Sequence, residues 1–138
     1  VFSFLIDLAK SIKNENTIIF HNSNDKSKIK LLKKRGTTLI KQSTDKYKNL
    51  DLKKILKDLY KMEIRNLLVE GGDILTKNFL QKKLFNEFYM FRSSKNLSKN
   101  KKHVNFSSFS ILNTKYNKHK INSKLATDKL TIYKNWNV

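Results

Sequence analysis

The chain has 138 residues and a mass of 16.3 kDa, enough for one domain with its own hydrophobic core, spanning residues 1–138. It contains no cysteine, which excludes disulfides and zinc–thiolate sites and fits a cytoplasmic protein; it also has no apolar run of membrane-spanning length. Its net charge of +19 and isoelectric point near 10.1 point to an anionic partner. Lysine supplies nearly all of that charge and is spread along the chain, while arginine occurs only at Arg35, Arg65 and Arg92. Nucleic acid, read best by clustered arginine and aromatic groups, is therefore not the expected partner. A small phosphorylated ligand fits better. The chain begins at Val1 rather than methionine, which suggests a processed, trimmed or partial chain.

Taken in order, Phe2, Leu5, Ile6, Leu8, Ala9 and Ile12 recur at helical spacing and predict a helix over 3–13. Residues 17–21 form a β-rich run ending in His21, and a polar loop, 22–25, follows. A second helix starts near Lys26, carries Ile29, Leu31 and Leu32, and stops at Gly36, a suitable C-terminal cap. Residues 37–40 read as a strand. After a polar connection, Asp51 is placed to start a third helix marked by Leu52, Ile55, Leu56, Leu59 and Tyr60. Strands alternating with helices to this point argue for a parallel sheet with helical crossovers.

The stretch 66–84 carries the chemistry. Leu67, Leu68 and Val69 have the length and type of a buried strand; Glu70 ends it and Gly71–Gly72 follow. Ile74, Leu75, Asn78, Phe79 and Leu84 then return to helical spacing. Two of the chain's three glycines stand in this turn. Without Cβ atoms such a pair admits positive φ and close approach, and the N–H groups of the next helix favour an anion. A diphosphate seat and a plain tight turn both satisfy that pattern, and Asp73 is placed to cap the same amides itself. Beyond this helix, 85–91 is an aromatic strand opened by Glu87, 93–102 a polar lysine-rich loop, and 106–112, 116–125 and 129–133 closing strands. Ser107, Ser108 and Ser110 read as strand-edge residues. His21, His103 and His119 lack metal-ligand spacing, and His21 reads as a capping or solvent-facing residue.

The run from Leu67 to Phe91 resembles the reductase domain of the bifunctional riboflavin-biosynthesis deaminase–reductase family. The resemblance rests on Val69-Glu70-Gly71-Gly72, Leu75, Phe79-Leu80 and Leu84-Phe85-Asn86-Glu87, and the neighbouring elements follow in the family's order. It implies an α/β, dihydrofolate-reductase-like three-layer fold: a mostly parallel central sheet, antiparallel C-terminal strands and flanking helices. It further implies reduction of a phosphorylated ribosylamino-pyrimidine by NADPH, a homodimer, and a deaminase domain on the same or another chain. By position, Gly71 and Gly72 would lie against the NADPH diphosphate, Asn22 and Ser23 near its adenosine end, and Glu70 at the ribityl side of the substrate. Hydride transfer needs positioning rather than a protein nucleophile, so no catalytic side chain and no metal are expected. Two departures stand out. No counterpart of the family's first strands precedes the matching region, and the loop after Phe91 has neither proline nor glycine. Rival readings are a non-catalytic nucleotide-binding member of the same fold and a basic nucleic-acid-binding protein.

Overall fold

The computed structural model describes residues 17–94, 106–121 and 128–135. The helix expected at 3–13 and most of the loop expected at 93–102 lie outside them. The chain divides into two compact units, Val1–Leu67 and Leu68–Val138.

The first unit is a β–α–β motif followed by a helix. Strand β1 (Ile18–His21) leads through a short turn into α1 (Lys26–Lys34), which returns to β2 (Thr38–Lys41). The two strands pair in parallel, Ile18 opposite Thr38 and His21 opposite Lys41. Helix α2 (Leu52–Lys61) follows. Both helices start at an aspartate: Asp25 accepts from the Lys28 amide, and Asp51 accepts from the amides of Lys53 and Lys54. Each therefore satisfies N–H groups that no turn of its own helix can reach. Leu32 and Leu52 are the buried apolar residues here, beside buried His21, Thr37 and Gln42. Those polar groups are paired: Thr37 Oγ1 donates to the Leu32 carbonyl, and Gln42 Nε2 donates to Asp58.

The second unit opens with α3 (Asp73–Gln81), followed by β3 (Glu87–Arg92), α4 (Phe109–Lys115), β4 (Asn117–Ile121) and β5 (Lys129–Lys134). Its sheet has the order β3–β5–β4, antiparallel throughout. Leu80 from α3, Leu112 from α4 and Tyr133 from β5 form the core, with Phe85, Phe88, Met90, Ile111 and Tyr116 packed around them. Edge-to-face contacts of Phe85 with Phe88 and Tyr116 fill the gaps between strand and helices. Tyr116 enters this apolar site because its hydroxyl donates to the Leu80 carbonyl.

The mixed α/β class and the antiparallel closing strands agree with the sequence. Three expectations change. Residues 67–69 form no strand: among the described residues they find no pairing partner, and Leu68 is 81% exposed. An isolated apolar run gains nothing by extending, since a strand is held by its neighbours. Among the described residues parallel pairing is accordingly confined to the two-stranded sheet of β1 and β2, and the other sheet, of β3, β5 and β4, is antiparallel. Residues 106–112 belong largely to a helix, α4, because helical spacing brings Leu112 into full burial against Leu80 and Tyr133; Ser107 and Ser108 lie at its start rather than on a strand edge.

Candidate functional site

The glycine turn sits where α3 begins. Glu70, Gly71 and Gly72 are all exposed. Gly72 is the N-cap, with φ −70° and ψ 173°, and has no side chain to cap the helix; among the described residues no side chain accepts from the first amides. These backbone donors and the positive end of the helix dipole are therefore available to an anionic group. A Cβ at Gly72 would meet nothing within 4 Å, so the space in front of the turn is open. One at Gly71 would lie 2.7 Å from Leu75 Cδ2. The positive φ that such a pair admits is not used here. Among the described glycines only Gly36 has positive φ; the pair at 71–72 owes its use to the missing side chain, not to an unusual backbone.

Asp73 does not cap its own helix. Its Oδ1 accepts from the Ser107 amide at 2.9 Å, and its Oδ2 accepts from the Ser107 hydroxyl at 2.6 Å. Those bonds, the hydroxyl's first, with Lys77 nearby, hold the carboxyl below its ordinary range. Nothing near Asp73 in sequence shows this, since the partner is thirty-four residues away. The charge at the start of α3 is thus already engaged.

Asn22 and Ser23 belong to the first unit, in the turn between β1 and α1. Asn22 is exposed. The Ser23 amide donates to His21 Nδ1 at 3.2 Å, and Ser23 Oγ accepts from the Asp25 amide at 3.0 Å. His21 is buried and does cap the turn; it does not face solvent. With Nδ1 accepting, its remaining ring proton belongs on Nε2. Glu70 has no hydrogen bond or ion pair among the described residues. Among the described residues no three acidic, histidine or cysteine side chains gather to hold a metal, and no helix is long and apolar enough to cross a membrane.

Together these features describe a mixed α/β protein in which an exposed acidic–glycine turn leads directly into a helix. Over residues 5–125 the chain matches the family model described as the RibD C-terminal domain. It belongs to that family, the riboflavin-biosynthesis reductase domains of dihydrofolate-reductase-like fold. A search of curated proteins found no match.

Proposed function

We propose that the chain belongs to an NADPH-dependent reductase that converts 5-amino-6-(5-phosphoribosylamino)uracil into its ribitylamino form. The observation that carries this reading is the uncapped start of α3 behind Gly72, with open space in front of it. Gly71 and Gly72 would hold the cofactor diphosphate through backbone N–H groups. Glu70 would orient the substrate's ribityl side, and Asn22 and Ser23 would meet the adenosine end. When bound, NADPH supplies the hydride, and the chain's own groups bind and orient. A homodimer and a deaminase domain on the same or another chain complete the proposal.

The test is a calorimetric titration of the full chain with NADPH and, separately, with NADH. Saturable binding with NADPH preferred is the expected result. Gly72→Val should then weaken NADPH by about tenfold or more, the scale of losing one hydrogen bond to a charged group. Because the space around Gly72 is empty and its φ is negative, the valine should not disturb the fold. Unchanged affinity in that variant would remove the turn from the cofactor site. Absence of binding by the unaltered chain would overturn the reading for this chain.

A further inference from the structure

Asp73 opens α3, yet its carboxylate serves α4. Both oxygens are taken by Ser107, one by its amide and one by its hydroxyl. A carboxylate in the first turn of a helix ordinarily complements the positive end of its own dipole. At a turn that must receive an anion, the same charge competes with the ligand. Here it is tied to another helix. The neighbouring Ser108 hydroxyl is fully buried without a hydrogen-bond partner among the described residues, an unfavourable placement that the anchored segment nevertheless maintains.

We propose, on the reading of the glycine turn as a diphosphate seat, that Asp73 is a positioning residue acting through Ser107: the latch keeps its negative charge off the α3 amides and leaves them to the cofactor. The function of Ser107 is then electrostatic, by restraining a charge, as well as structural, by starting α4. A structural role and a charge-restraining role respond oppositely to one double substitution, which makes them separable.

The experiment titrates the full chain and its variants with NADPH and, in parallel, with inorganic pyrophosphate. Ser107→Ala removes the hydroxyl bond and leaves Asp73 held by the amide of residue 107 alone; the loosened carboxylate should weaken both ligands by about two- to fivefold, the size expected for one charge at a helix end. Ser107→Thr keeps the hydroxyl and should retain the affinity of the unaltered chain. Adding Asp73→Ala to Ser107→Ala removes the loosened charge altogether, and affinity should return to the starting value or exceed it. The carbon resonance of the Asp73 carboxyl, followed against pH, should titrate higher in Ser107→Ala than in the unaltered chain. A double variant as weak as Ser107→Ala, or weaker, would show a structural contact only and overturn the inference. Full affinity in Ser107→Ala would also overturn it while leaving the glycine turn in place. Binding of neither ligand by the unaltered chain would overturn both this inference and the proposed cofactor site.

Discussion

Lys83 has φ 54° and Glu63 has φ 64°, each one residue past the C-cap of a helix. Gly36, at the same place after α1, has φ 78°. All three ends close the same way: the amides of Thr37, Ile64 and Leu84 return to the carbonyls of Leu32, Leu59 and Phe79. This is the Schellman arrangement, which favours glycine at the left-handed residue. Lys83→Gly should therefore stabilise the chain by about 0.5–1 kcal/mol, and Gly36→Ala should destabilise it by about 1 kcal/mol. Denaturant midpoints measure both, and equal effects of the same sign would contradict the argument. The contrast also explains what can be read from sequence at this scale. Gly36 announces its helix end; Lys83 and Glu63 do not, because there the tertiary fold imposes the conformation on a residue that does not prefer it.

Helices α1, α2 and α3 are legible because each joins a local start to a periodic apolar face. Asp51 caps α2 through two amides, and Asp51→Ala should cost about 1 kcal/mol in thermal or denaturant unfolding. Helix α4 is different. Its short apolar run fits strand or helix equally, its N-cap Ser108 makes no side-chain bond, and its start is tied instead to Asp73 of α3. What decides the matter is Leu112, fully buried against Leu80 and Tyr133, and a contact between distant segments leaves no local mark. Residues 67–69 show the converse. Their composition suits a strand, but strand formation requires a paired neighbour that no property of those three residues can supply. Glu70 and the glycines were legible as a turn before a helix, whereas the partnership of Asp73 with Ser107 was not.

At the scale of the molecule, thirty basic residues face eleven acidic ones. Several of the acidic groups already act locally: Asp25 pairs with Lys28, Asp58 with Lys61 and Glu87 with Lys134. The excess positive charge repels itself within the folded chain and draws anions to its surface. Salt screens both effects. Raising sodium chloride from about 20 to 200 mM, which shortens the screening length from tens of ångströms to below 10 Å, should raise the melting temperature and lower the affinity for NADPH. Movement of the two quantities in the same direction would show that long-range charge does not govern them.

The unpaired segment at Leu67, Leu68 and Val69 bears on how copies of this chain behave in a crowded solution. Three adjacent apolar residues without strand partners among the described residues offer backbone groups to any similar segment that comes near, the usual opening for edge-to-edge aggregation. Arg65 and Glu70 flank the run and act as gatekeepers on either side. Beyond them, the barrier to association is the mutual repulsion of two strongly cationic molecules. The salt that steadies each folded copy also lowers that barrier, so the conditions that favour the fold are those in which the chain is least protected from its own kind.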